Sequence, residues 1–152
     1  MEMCKLHNEI FKRLKQLMPY ENNMELPPKI FIDMEGEFIE FIENAKLIAR
    51  FPNMERYMNP FGFMQGGILV AAMDNTISPF SYASAPPSIT KEITTEFKRP
   101  VKRVEKHIDV VATVVEKASS YILLQAEVLN EKGKLVAKSL ANCVYIKGVR
   151  NT

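Results

Sequence analysis

The apolar positions of this chain change their period as the sequence proceeds. Leu6, Ile10, Leu14 and Leu17 recur every three or four residues, with Lys5, Lys12, Arg13 and Lys15 between them. That spacing predicts a short amphipathic helix docked by one face, closed by Pro19 and the Pro27-Pro28 pair. From residue 29 the pattern becomes alternation. Phe38, Glu40 and Ile42 oppose Ile39, Phe41 and Glu43; Leu47, Ala49 and Phe51 then alternate with Lys46, Ile48 and Arg50. These read as two strands around a turn at Glu43-Asn44-Ala45, ended by Pro52-Asn53. Residues 66–83 are apolar almost all round and predict one long helix. Pro79 is expected to kink or end its regular part, and Pro86-Pro87 to terminate it. Strands are predicted at 90–99, 107–117, 121–130 and 135–147, with turns at Ala118-Ser119-Ser120 and at Gly133. Ile108, Val110, Ala112 and Val114 fall on one face of their strand, and Val136, Leu140, Val144 and Ile146 on one face of theirs.

Strands joined by tight turns make an antiparallel sheet, and a helix that is apolar on most sides must be covered on most sides. The expected architecture is therefore α+β: a sheet wrapped around one long central helix, with a short N-terminal helix beside it. Residues 1–28 form the N-terminal helix and connector, and 29–152 the domain proper.

Composition narrows the classes without choosing among them. The chain has 152 residues, 47% hydrophobic and 25% charged, the balance of one soluble globular domain. A net charge of +2 is too small to argue for a nucleic-acid partner. Cys4 and Cys143 lie far apart, with no metal-site or redox-pair spacing; Cys143, in a strand-like apolar run, is expected to be a buried thiol. Charges at Glu2, Lys5, Glu9 and Lys12 argue against a signal peptide, and no segment approaches transmembrane length, so no membrane partner is expected and the cytoplasm is the expected location.

The chemistry concentrates in residues 59–74. Asn59-Pro60, Gly62 and Gly66-Gly67 are turn residues that feed directly into the long helix. A helix start exposes backbone N–H groups without intrahelical partners, at the positive end of the helix dipole. Such a place holds an anion, or an oxygen that becomes anionic during a reaction. Asp74 is the only charged residue between Arg56 and Lys91, on an otherwise apolar helix, where an unused carboxylate is costly.

With this element order, the set Asn59, Gln65-Gly66-Gly67 and Asp74 resembles the hotdog-fold acyl-CoA thioesterases, in particular the phenylacetic-acid-pathway type and the related 4-hydroxybenzoyl-CoA thioesterases. The family signature is an Asn, a short loop, His-Gly-Gly, and an Asp about two helical turns on; Phe97-Lys98-Arg99-Pro100-Val101 also looks like the family's strand ending in Arg-Pro-Val. The resemblance covers residues 35–147. It implies a homodimer or dimer of dimers hydrolysing an acyl-CoA, with coenzyme A entering only as part of the substrate, no cofactor and no metal. It further implies that the Gly66 N–H holds the oxyanion. Asp74 acts as general base for water or as nucleophile. Asn59 orients that water or shapes the loop, and Thr90, with Ser88 as competitor, supplies an assisting hydroxyl. Gly67, Phe63, Lys98 and Arg99 are candidate substrate-binding residues, the last two as seats for the phosphates of coenzyme A. Met64, Met73, Phe61 and Phe80 join Phe63 as candidate lining for the acyl slot.

Gln65 stands where the family has His. An amide donates and accepts hydrogen bonds but cannot take up a proton and carry charge as imidazole can, so any proton-transfer role at this position is lost while a hydrogen-bonding one survives. Two alternatives follow: a non-catalytic acyl-CoA binder, and a hydratase or dehydratase, although the latter relies on an Asp-His pair that this motif lacks. Gly66 and Asp74 are eight residues apart, roughly 12 Å along a helix rising about 1.5 Å per residue. One carbonyl cannot reach both in a single chain, so the site is expected to be shared between subunits, in agreement with the family.

Overall fold

The computed structural model describes residues 5–18 and 25–147; Cys4 and Pro19 lie outside the described residues. Two helices, α1 (Lys5–Leu17) and α2 (Lys29–Asp33), precede strands β1 (Glu37–Ile42) and β2 (Lys46–Pro52). A 3-10 turn at Glu55–Tyr57 leads to the long helix α3 (Gly66–Ser84), followed by β3 (Ser88–Phe97), β4 (His107–Lys117), β5 (Tyr121–Asn130) and β6 (Leu135–Tyr145). All strand pairs are antiparallel, and the sheet runs β1-β2-β4-β5-β6-β3. One face of this six-stranded sheet is wrapped on α3, the expected hotdog architecture.

The sheet positions that meet the helix alternate as the sequence requires. Leu47, Ala49 and Phe51 of β2, Ile108, Val110 and Ala112 of β4, and Ile122, Leu124, Ala126 and Val128 of β5 are all buried. Small side chains form a row across the sheet, Ala112 opposite Ala126 and Ala126 opposite Ser139, which leaves room for the helix backbone to approach. On α3 itself Leu69, Ala72, Met73, Thr76, Ile77 and Phe80 are buried; the Thr76 hydroxyl is satisfied by donating to the Ala72 carbonyl at 2.9 Å.

Several expectations are corrected. The connection after α3 does not make successive hairpins: β3 crosses to the far edge and pairs with β6, while β4 pairs with β2. The faces of β6 are inverted relative to the prediction beyond its start. A bulge opposite Val128 and Leu129 places both Val136 and Ala137 in the core, after which Ser139, Ala141 and Cys143 point inward and Leu140 is 44% exposed. A bulge in β1 likewise turns Phe38 and Phe41 to the same core. Residues 29–33, read as the start of alternation, form α2. Pro79 does not end α3, which continues to Ser84; its ring lies buried beneath α1 against Phe11, Leu14 and Met18, and this burial offsets the lost backbone hydrogen bond.

The docked face of α1 is His7, Ile10 and Leu14, with Leu6 48% exposed. His7 is the residue the apolar pattern missed. Its Nδ1 accepts the Phe38 N–H at 2.8 Å, and its ring stacks among Phe11, Phe31 and Phe38. The helix thus satisfies a donor of edge strand β1. Burial pushes the His7 pKa down, with Glu37 acting in the opposite sense.

Candidate active site

The loop before α3 is shaped by Asn59. Its side-chain Oδ1 accepts the N–H groups of Phe61 and Phe63 at 2.9 and 3.1 Å. Its main chain closes the turn from both ends, donating to the Phe63 carbonyl at 2.7 Å and accepting the Gly62 N–H at 2.9 Å. Gly62 sits at φ 78, a conformation that favours glycine. The loop is tied to the body where Met64 N–H donates to Val101 O at 3.0 Å and Gln65 N–H donates to Tyr57 O at 2.8 Å. With its amide oxygen engaged twice, Asn59 is seen in the loop-shaping arrangement.

Gln65 is the N-cap of α3, extended at φ −64 and ψ 136, and its side chain makes no cap hydrogen bond. Its carbonyl accepts the Ile68 N–H at 2.9 Å, whereas neither Gly66 nor Gly67 N–H donates to a backbone carbonyl among the described residues. Two adjacent donors at the positive end of a helix of 19 residues are therefore free. Gly66 opens into a hollow of about 380 Å³, lined also by Asn59, Phe63, Leu69, Phe97, Lys98 and Arg99. The Phe97 ring lies so close that a Cβ on Gly66 would sit 3.1 Å from its Cζ; a Cβ on Gly67 would meet nothing within 4 Å. Lys98 and Arg99 thus border the same hollow as Gly66, whose N–H is free. Lys98 also bridges to Glu96, and farther along Arg103 pairs with Glu55 at 3.1 Å.

Asp74 stands two turns along α3, half-buried. Thr90 Oγ1 donates to its Oδ1 at 2.8 Å and lies 3.9 Å from Cys143 Sγ. A bulge in β3 just after Thr90 breaks the register there; such bulges re-aim side chains. The competitor Ser88 is buried and paired with Ser81 at 2.8 Å, so Thr90 is the hydroxyl that meets Asp74. Cys143 is buried as expected, and burial raises its thiol pKa. Asp74 does not share the hollow of Gly66. It lines a second one of about 350 Å³, with Glu25, Leu26, Pro28, Ile30, Asn75, Ser78, Pro79 and Tyr82.

Of the predicted lining residues, Phe63 alone borders a hollow without being core. Met73 and Phe80 are fully buried and Met64 nearly so; Phe61 is 84% exposed. Sequence reasoning missed Phe97 as a wall, and missed Ser78 and Tyr82. The helical spacing of Asp74, Ser78 and Tyr82, one turn apart, is the signal that finds them. Among the described residues no group of three or more His, Cys, Asp or Glu is arranged to hold a metal ion, and no helix is long and apolar enough to cross a membrane.

The family model of the thioesterase superfamily matches residues 61–137, just over half of the chain. The chain belongs to the thioesterase superfamily. This thioesterase is accordingly a thioester hydrolase, and the matched segment runs from the loop before α3 into β6. A curated relative from Saccharolobus solfataricus is 24% identical over 141 residues, covering 91% of this chain and 89% of its own. Among solved structures, the E. coli PaaI protein of the phenylacetic acid degradation operon superposes with a TM-score of 0.78 at 16% identity, over 91% of this chain and 96% of its own. A thioesterase of Haemophilus influenzae gives 0.73 at 22%, over 93% of each chain. A Streptococcus mutans protein bound to acetyl CoA gives 0.70 at 15%, over 86% of this chain and 98% of its own. At these identities the structural likeness speaks for the hotdog fold.

Proposed function

We propose that this thioesterase hydrolyses an acyl-CoA to a carboxylate and free CoA at a site built from two copies of the chain. The observation that carries the reading is the separation within one protomer: Gly66, with its free N–H, and Asp74 border different hollows, about 12 Å apart along one helix. A two-fold pairing that sets the α3 start of one copy against Asp74 of the other makes two complete sites. The sheet supplies a surface for it. Edge strand β3 pairs with β6 on one side only, whereas the opposite edge strand, β1, is capped by α1.

In this site the thioester oxygen lies on the Gly66 N–H, where the helix end stabilises the charge that develops as the carbonyl is attacked. Asp74, steadied by the Thr90 hydroxyl, takes a proton from water as water adds to the carbonyl carbon. The tetrahedral intermediate then expels the thiolate of CoA. Direct attack by Asp74, expelling the thiolate of CoA to give an anhydride that water then hydrolyses, uses the same geometry. Lys98 and Arg99 seat phosphates of CoA at the rim of the Gly66 hollow. The reading requires no resident cofactor or metal, and it places the enzyme in the cytoplasm.

Release of free thiol from a panel of acyl-CoAs tests the activity. Sharing is tested by mixing two inactive variants, Asp74→Asn and Gly66→Pro. A heterodimer has one site with both halves intact, so mixing should restore about half of the sites of those heterodimers. No recovery in a mixture shown to contain heterodimer would end the shared-site mechanism.

A further inference from the structure

The hollow beside Asp74 is polar along one wall. Asp74, Ser78 and Tyr82 follow each other at one-turn spacing on the half-buried side of α3, and all three border the same space of about 350 Å³. The rest of the lining is Glu25, Leu26, Pro28 and Ile30 from the segment before and within α2, with Asn75 and Pro79 of α3. A slot intended only for an alkyl chain gains nothing from hydroxyls along its length, because each loses water when the chain enters. Both hydroxyls border the same hollow, and burial raises the Tyr82 pKa, with the Ser78 side chain acting in the opposite sense, so the phenol is a standing donor at neutral pH. Side chains on a helix lean toward its N-terminus, which tips Tyr82 back over Ser78 and toward Asp74.

We infer that Ser78 and Tyr82 form a specificity pair that hydrogen-bonds a hydroxyl group on the acyl chain, about one helical turn beyond the thioester carbonyl. The inference rests on the acyl-CoA reading above and names the substrate class for it. One turn is roughly 5–6 Å, and an extended chain advances roughly 1.2 Å per bond, so the carbon bearing the hydroxyl belongs about five bonds from the carbonyl carbon. The pair is half-buried, so water serves each hydroxyl when no substrate is present. Discrimination should therefore be that of one or two neutral hydrogen bonds, about tenfold, and not the far larger factor seen where a site is left with unpaired groups.

The test compares kcat/KM for ω-hydroxyhexanoyl-CoA with that for hexanoyl-CoA, and for α-hydroxyhexanoyl-CoA as a positional control. The native enzyme should favour the ω-hydroxy substrate by about tenfold over both others. Tyr82→Phe and Ser78→Ala should each bring that ratio toward one, the loss falling on the hydroxylated substrate. A variant acting only through the fold lowers all three substrates together and leaves the ratio standing, which would overturn the inference. So would a native ratio of one with all three CoA esters turned over. Absence of turnover with every CoA ester would fell the acyl-CoA reading itself, and this inference with it.

Discussion

Replacing Gly66 by proline isolates the backbone donor to which the proposed mechanism assigns the oxyanion. Gly66 is the first helical residue of α3, a position where proline is well tolerated because its N–H has no intrahelical partner. Gln65, at φ −64 and ψ 136, already has the extended backbone that a residue before proline prefers. The Gly66 N–H makes no backbone hydrogen bond, so none is lost. Proline also restricts the unfolded chain, a gain of about 0.4–1 kcal/mol. Against this stands the new Cβ, 3.1 Å from the Phe97 ring. Phe97 is 53% exposed and free to yield a few tenths of an ångström, so the two effects roughly cancel and the melting temperature should stay within a few degrees of native. Activity behaves differently, since removing one oxyanion donor costs about 100–1,000-fold in kcat. Gly66→Ala is the control, because it adds the same Cβ and keeps the N–H. Thermal melts followed by circular dichroism and thiol release under saturating acyl-CoA measure both quantities. If the proline and alanine variants turn over equally, the donor plays no part and the oxyanion assignment is wrong.

Three further outcomes follow from other contacts. Thr90→Val removes the 2.8 Å hydrogen bond to Asp74 while keeping shape, and should lower kcat about 10- to 100-fold with a stability loss of about 1–2 kcal/mol in urea titration; Ser88→Ala, which touches Ser81 instead, should leave kcat within about twofold. Gly36→Ala drives a Cβ to 2.6 Å from the buried Phe31 ring, and overpacking of that kind should cost about 1–3 kcal/mol in the same titration. His7 has its pKa pushed below the ordinary value of 6.5 by burial, so the unfolded chain binds the extra proton first as pH falls. The stability it contributes is full above pH 6.5 and is lost as pH drops through that value toward the lowered folded one; unfolding free energies measured from pH 7.5 to 5 should fall, and less so in His7→Phe.

Local period was enough to determine much of this protein. Alternation at Leu47, Ala49 and Phe51, and at Ile108, Val110 and Ala112, marks buried strand faces because successive strand residues point to opposite sides. The Gly66-Gly67 pair entering an apolar run marks a helix start with free donors, and Asp74 on that run marks a carboxylate that needs a partner, which Thr90 supplies. Tertiary structure alone decided the rest. One extra residue in β6 reverses which side chains face the core, and no composition rule shows where a sheet takes up such a bulge. Placing β3 beside β6, not β4, is a pairing between segments some fifty residues apart, chosen by how the sheet covers α3. That choice brings Thr90, and not Ser88, to Asp74, and it sets Phe97 against Gly66. Period is a property of neighbours along the chain, whereas a site is a property of neighbours in space.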